Sequence, residues 1–363
     1  MRQHQWTPAL YLEAIKAFTE YSNREIARVR RNLTGLSPDD QAALIWKPED
    51  QVKKMQSAVT ANLELLEKVA ALIRKAEPVG AKESLSDVPQ GSKSVQALLQ
   101  TFVREWSAEG QQERKDCFDR LLGALDAHLQ PELEKASASG SPAPRVLVPG
   151  ALLGRLPYEV AQRGYECEAC EARVLQYFGS EVVRQLVGGK SEVHRIQPYA
   201  LNTCNRFKAE DHLRATPIPE VEIKEGQLPP VRFGDFVRLY DDAEARGRYD
   251  AVVTAFSLDT SSNIFRYVRT VAHAVRPGGL WTNFGPLAYD TEHDEAHGHG
   301  IELSWEELRY AVSHFFDIQE ESFVDAFLAT NAESMMQIQY SCIFFKAVRN
   351  GTPSPGIGEK QSI

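Results

Sequence analysis

Residues 145–171 read RVLVPGALLGRLPYEVAQRGYECEACE, and this stretch decides the fold. Val146, Leu147 and Val148 form a short apolar run with the length and β-branched content of a buried strand. Pro149-Gly150 breaks the run, and Gly154 follows four residues later. From Arg155 the apolar residues Leu156, Val160 and Ala161 recur at helical spacing until Gly164 ends the helix. A strand, a glycine-bearing turn, a helix and then an acidic residue, Glu171, about 20 positions after the glycines make the layout of a nucleotide-binding crossover. There the turn lets a ligand approach the backbone, and the carboxylate accepts the ribose hydroxyls. The turn is a poor match to GxGxxG, because Gly150 is followed by Ala151, Leu152 and Leu153. Alone it is also the tight turn of any α/β protein, so the rest of the chain must decide.

Working outward, the 363 residues can hold two domains, or one large domain with an extension. Charged residues are 25% and hydrophobic ones 43%, ordinary for a globular protein. A net charge of -9 argues against a primarily nucleic-acid or anionic-membrane partner. No apolar run reaches the length of a membrane span, and the first residues lack the continuous apolar core of a signal peptide. A cytoplasmic setting, or a nuclear one, is therefore expected. The cysteines (117, 167, 170, 204, 342) are scattered and odd in number, as expected of free thiols in a reducing compartment. Cys167 and Cys170 form a CxxC without a second pair, so packing thiols are expected there. His293, His297 and His299 lie in a polar, glycine-bearing stretch with nothing to converge them, and no metal is expected.

Residues 9–76 read as amphipathic helices interrupted near Gly35, where Ser37-Pro38-Asp39-Asp40 resembles a helix N-terminus. Arg24, Arg28, Arg30 and Arg31 read as a solvated face. Residues 77–93 form an aperiodic connection. Helices are predicted over 94–110 and 112–129, and a second linker, Ser137 to Pro144 (SASGSPAP), marks a composition shift. The domains are accordingly placed at 1–143 (helical), 144–349 (catalytic) and 350–363 (disordered tail). Downstream, 172–186 is predicted helical, whereas 187–230 is irregular and long enough to suggest a functional insertion or lid. A strand end at 231–236, the strand YDAVVTAF at 249–256, a helix over 264–275, a turn at Arg276-Pro277-Gly278-Gly279 and a strand at 280–284 follow. Ser304-Trp305-Glu306-Glu307 reads as a capping box opening a helix, and strands at 318–323 and 337–348 close the domain. This alternation implies a sheet flanked by helices with ligands at the carboxyl ends of the strands. Gly150 to Gly154, Glu171, Asp235 and Asp259 all lie just past strands. Together with the passage VRTVAHAVRPGGLWTNF, they favour the α/β, Rossmann-like class I sheet of S-adenosylmethionine (SAM)-dependent methyltransferases, with an N-terminal all-helical domain.

The residues also resemble one family, the carnosine N-methyltransferases. The similarity runs through TFVREWSAEGQQERKDC, VLVPGALLGRLPYEVAQRGYECEACE, GDF at 234–236, DAVVTAFSLDTSSNIFRYVRTVAHAVRPGGLWTNFGPLAY, IELSWEEL and SMMQIQYSCIFF. This resemblance implies an SAM-dependent N-methyltransferase acting on an imidazole nitrogen of a carnosine-like small molecule. It places Arg104 at the carboxylate end of the cofactor, with Thr101 standing where the family has glutamine. It also puts Gly150 and Gly154 at the methionine moiety, Glu171 at the ribose, Asp235 and Phe236 at the adenine, and Ala255, a cysteine in the family, alongside. Asp259 becomes the catalytic contact to the substrate imidazole, with Phe256, Asn263, Tyr289, Asp290 and Tyr340 as further substrate contacts. A carboxylate that accepts the imidazole N–H fixes which nitrogen presents its lone pair. Asp259 can equally be the cap of the following helix. A homodimer built by the helical region is implied as well, although its apolar faces can also pack on the catalytic domain.

The chain departs from the family pattern at several positions. Leu152 replaces a glycine, Cys170 and Ala172 flank Glu171 where the family has Asn and Trp, Asp290 stands for a histidine, and Ile338 for a tyrosine. These changes leave two alternatives open: a methyltransferase with another small-molecule, peptide or protein-histidine substrate, and an inactive scaffold of the same fold.

Overall fold

The computed structural model describes residues 8–76, 91–187, 193–224, 226–289 and 300–354. Six helices come first: α1 (Pro8–Thr34), α2 (Pro38–Ala42), α3 (Pro48–Lys75), α4 (Ser92–Trp106), α5 (Gln111–Arg114) and α6 (Arg120–Ser139). Ser37 caps α2 as expected, accepting from the Asp40 amide. A π-helical turn, Lys115–Asp119, joins α5 to α6. The expected 112–129 helix thus runs on to Ser139, and the composition shift takes effect only at Gly140, whose left-handed conformation (φ 69°) ends it.

The sheet follows: β1 (Arg145–Pro149), α7 (Arg155–Gln162), β2 (Glu166–Glu171) and α8 (Val174–Val187), then a small hairpin, β3 (His194–Ile196) and β4 (Thr216–Ile218). After it come β5 (Val231–Phe233), α9 (Phe236–Leu239), β6 (Tyr249–Ala255), α10 (Ile264–Ala274), β7 (Val275–Gly285), α11 (Trp305–Ser313), β8 (Phe316–Phe327) and β9 (Gln339–Arg349). The strand order is β5-β2-β1-β6-β7-β9-β8. All pairs from β5 to β7 are parallel, and β9 runs antiparallel to both its neighbours. The winding reverses between β1 and β6, so the crevice outside their carboxyl ends is the expected ligand site. Because β8 runs with β7 and β9 against it, the connection 328–338 sits at that same end.

Strand periodicity sets the layers. Val146 and Val148 pack with Leu121, Leu125, Leu129 and Leu133 of α6 on one face. Leu147 and Val252 pack with Tyr267, Val268 and Val271 of α10 on the other. A third core joins α1, α3 and α4 to Leu153, Tyr158, Val174 and Phe178. The apolar cores therefore run straight across residue 143. Arg276 to Gly279 bulge outward as the turn signal implied, but the pairing resumes at Leu280 with Ala251, so the turn lies within β7. The capping box at Ser304 and Glu307 is present.

The described part of 187–230 is anchored. Asn62 of α3 exchanges hydrogen bonds of 2.8 Å with the Gln197 backbone in both directions. Glu220 pairs with Arg114 and, at 3.0 Å, with Arg155. Arg214 reaches Glu109 and Asn331 at 2.8 Å. Cys117, Cys167, Cys170 and Cys342 are buried and all five thiols are free. Burial pushes the Cys167 and Cys170 thiols up, which keeps them protonated and fits packing residues.

Candidate functional site

The turn after β1 is held by both strands and helices around it. Gly150 (φ 70°) lies so close to Ser257 that a Cβ there would fall 2.8 Å from the serine Cβ. Ala151 donates to the Cys170 carbonyl at 2.9 Å, and Leu152 donates to Glu171 Oε2 at 2.8 Å. Leu152 itself adopts φ 50°, the left-handed region that favours glycine. Leucine therefore keeps the turn's shape, at the cost of local strain. A Cβ at Gly154 (φ 86°) would meet nothing within 4 Å.

Glu171 ends β2 with 3% of its surface exposed. Its second oxygen accepts from the Arg173 amide at 2.8 Å. An ionised carboxylate has about four lone-pair sites, so two protein amides leave acceptor capacity for a ligand's hydroxyls. Asp235 caps α9, accepting from Arg238 at 3.1 Å, and its side chain is exposed beside the cleft. Phe236 is buried against Tyr267, ring centroids 4.8 Å apart, and the Tyr267 hydroxyl meets Ser257 at 2.7 Å. These contacts tie Asp235, Phe236 and Gly150 into one wall.

Arg104 closes the opposite side. It is 3% exposed, and its Nε and Nη2 have no hydrogen-bond partner among the described residues. Nη1 reaches Glu105 at 3.3 Å, Nε lies 3.6 Å from Glu113, and the guanidinium sits 5.2 Å from the centre of the Phe256 ring. A buried guanidinium with two unused donors suits a bidentate carboxylate. The residues present thus fit the carboxylate and ribose ends of a nucleoside amino acid such as SAM. Ala255 ends β6 beside them, and Phe256 follows at φ 51°.

Asp259 lies in a short 3-10 turn, 7% exposed, with Oδ2 accepting from the Ala288 amide at 2.8 Å. It is not the cap of α10. Asn263 takes that position, accepting from the Arg266 amide at 3.0 Å, because it directly precedes the first helical residue. The Ala288 contact brings Asp259 close to Tyr289, which is buried at φ 44°. The Tyr289 hydroxyl, near the Leu303 backbone, makes no hydrogen bond of good geometry among the described residues. Burial raises its pKa, so it stays a neutral donor. Tyr340 and Phe256 both pack against the core that contains Ala255 and Cys342. Thr101 instead turns its hydroxyl back to the Ala97 carbonyl of its own helix, at 2.8 Å. Asp290 and the three histidines lie outside the described residues, among which no cluster of metal-ligating side chains occurs.

The charged framework behind the turn escaped the sequence reading. Glu105 Oε2 accepts from the amides of Leu153 (2.9 Å) and Arg155 (3.4 Å), and its backbone carbonyl accepts from Arg155 Nη1 at 3.0 Å. Trp106 Nε1 donates to the Leu153 carbonyl at 3.0 Å. Burial, outweighing the Arg104 charge, pushes the Glu105 carboxyl up to about 7. The one available signal was Arg104-Glu105 standing inside the apolar run LLQTFVREW, where a solvated pair would not be placed.

Comparison with known proteins agrees with this geometry. The family model for carnosine N-methyltransferase matches residues 82–351. Carnosine N-methyltransferase of Rattus norvegicus is 28% identical over 363 residues, spanning 95% of this chain and 85% of the rat protein. That of Schizosaccharomyces pombe is 25% identical over 352 residues, spanning 91% of this chain and 92% of the yeast protein. The Dictyostelium discoideum protein is 32% identical over 267 residues, 70% of this chain and 54% of its own length. The chain belongs to the carnosine N-methyltransferase family of SAM-dependent methyltransferases.

Proposed function

We propose that this chain transfers a methyl group from SAM to an imidazole nitrogen of a small histidine-containing molecule of the carnosine type. The observation that carries the reading is the buried Arg104, its Nε and Nη2 without hydrogen-bond partners among the described residues and its guanidinium over Phe256 at the carboxyl end of β6, with the 150–154 turn and Glu171 at the point where the winding reverses. In this assignment Arg104 holds the cofactor carboxylate and Glu171 the ribose hydroxyls. Asp235 and Phe236 take the adenine, while Gly150, Gly154, Thr101 and Ala255 line the rest. When bound, SAM supplies an electrophilic methyl group on a sulfonium.

What this chain must then provide is alignment of a lone pair. Asp259 retains acceptor capacity beyond the Ala288 amide. Accepting the imidazole N–H there turns the other ring nitrogen, with its lone pair, toward the reacting carbon. Free imidazole titrates at about pH 6.5, so a large neutral fraction exists at pH 7 and no strong base is needed. Phe256, Asn263, Tyr289, Tyr340 and Asp290 are assigned to the substrate side, and the helical segment 1–143 contributes Thr101 and Arg104 to the cofactor side. Sedimentation of the purified chain decides whether it is a homodimer.

Calorimetry with SAM, then carnosine with mass detection of methylated product, tests the reading. SAM binding with methylcarnosine formed supports it, and failure to bind SAM overturns it. Binding without that product directs attention to a longer substrate. One observation favours that second reading: Phe207, Met335, Met336 and Ile338 are 59–64% exposed on the connection at the carboxyl end of the sheet and the segment bridged to it. Such a rim suits a peptide or protein histidine better than a free dipeptide.

A further inference from the structure

The end of α4 is joined to the cofactor turn more tightly than packing alone requires. Glu105 takes two amides of that turn on one oxygen and the Arg104 guanidinium on the other. Trp106 holds the Leu153 carbonyl from the same helix. The remaining nitrogens of Arg104, Nε and Nη2, make no hydrogen bond among the described residues. Resting on the SAM-binding reading above, we propose that Glu105 is a positioning residue: it sets Arg104 and the 152–155 turn together, and takes up a proton when a ligand carboxylate lands on Arg104.

The charge balance around Arg104 drives this step. One guanidinium already faces two carboxylates, Glu105 at 3.3 Å and Glu113 at 3.6 Å. A ligand carboxylate on Nε and Nη2 would make a third negative group on one cation in a buried pocket. Like charges so placed favour protonation of one of them. Glu113 is committed elsewhere, its two oxygens accepting from the Ala329 and Thr330 amides at 2.7 and 2.8 Å. Glu105 is the better site, because burial has already pushed its carboxyl up to about 7.

The other groups acting on Glu105 are Glu171 from β2, which favours its protonated form, and the Leu153 and Arg155 amides, which favour the anion. Arg114 from α5 also favours the anion, and the neighbouring Cys117 is a buried thiol pushed up to about 12, hence neutral. Arg114 keeps its charge and Cys117 stays neutral between about pH 6 and 8. The proton comes from solvent, so ligand binding removes it from the buffer.

Calorimetric titration of the full-length chain with S-adenosylhomocysteine (SAH), in phosphate and in Tris near neutral pH, measures that proton directly. If the Glu105 carboxyl rises by one pKa unit from about 7, the wild type is expected to take up about 0.4 of a proton at pH 7. A rise of one pKa unit in the complex makes SAH bind about tenfold more weakly at high pH than at low pH. Glu105→Gln is expected to abolish the uptake attributable to the protein, while any titration of the ligand itself persists. Glu105→Asp keeps an ionisable group of lower intrinsic pKa, and should shift the uptake profile toward lower pH. That shift identifies the residue even if the glutamine variant does not fold. Wild-type SAH binding without proton uptake would overturn the inference alone, as would an unchanged profile in either variant. Absence of SAH binding to the wild type would overturn the functional reading and this inference together.

Discussion

Replacing Glu171 by Ala separates its structural role, seen in two backbone hydrogen bonds, from the ribose-binding role proposed for the same carboxylate. Its two oxygens accept from the Leu152 and Arg173 amides at 2.8 Å, and 3% of the residue is exposed. Hydrogen bonds to a charged acceptor contribute roughly 1.5–3 kcal/mol each. Water can enter the truncated site and recover part of this, so the fold should lose about 2–4 kcal/mol, read by urea denaturation without ligand. The lone pairs left to the ribose hydroxyls carry a second loss of about 3 kcal/mol, or roughly a hundredfold in SAH affinity. Glu171→Gln sharpens the comparison. The amide can accept from one backbone N–H but presents its own N–H to the other, so both quantities should fall, by less than in the alanine variant. Calorimetry on protein shown to be folded by circular dichroism gives the affinity. A Glu171→Ala protein that lost stability yet bound SAH as tightly as the wild type would refute the ribose assignment and leave Glu171 a brace for the turn.

Asp259→Asn keeps an acceptor for the Ala288 amide; SAH affinity should stay within about threefold while methyl transfer falls at least about a hundredfold, and equal losses in both would sink the division of roles. Gly150→Ala places a Cβ 2.8 Å from that of Ser257 at φ 70°, so stability should drop by about 2–3 kcal/mol and SAH binding with it, read by denaturation and calorimetry. Leu152→Gly relieves a left-handed leucine worth about 1 kcal/mol but frees the unfolded chain by a similar amount; stability should change little, and SAH affinity should rise if the leucine side chain narrows the ligand's approach to the backbone of the turn, which weaker binding would refute. Finally, the Glu105 carboxyl is pushed up from its ordinary value to about 7 in the native state. Between about pH 4.5 and 7 the native protein keeps a proton that the unfolded chain has released, so this group's contribution to stability falls as pH rises through that window, by up to about 3 kcal/mol. Glu105→Gln should remove that slope from urea-derived stabilities measured across the window.

The elements of the sheet were legible because local rules and tertiary context agree there. Val146 to Val148 and Tyr249 to Ala255 are β-branched runs bounded by turn residues, and each became a strand of the expected length. Helix ends were less legible where two signals competed. SASG at 137–140 reads as linker by composition, yet its first three residues extend α6, because Ala136 and Leu133 are still buried and only Gly140 supplies the left-handed stop. In SLDTSSN several residues are good caps, and the one adjacent to the first buried helical residue, Asn263, wins, while Asp259 accepts from the Ala288 amide instead.

What the sequence could not reveal is the framework around Arg104. Glu105 meets Leu153 and Arg155 some fifty residues onward, and Glu220 meets Arg114 and Arg155, 106 and 65 residues before it. Apart from Arg104-Glu105 in its apolar run, each of these charged residues, taken alone, reads as a solvated charge. Only folding brings them into one buried set, and burial then changes their chemistry: a carboxyl that would be fully ionised in water sits near neutrality beside the turn that is to receive a charged ligand. The helical segment is therefore more than an appendage to the sheet. It supplies the arginine, the acid that sets it, and the indole that fixes the turn. A change anywhere along the 104–106 helix end should consequently be felt first in cofactor affinity, and only through it in the transfer step.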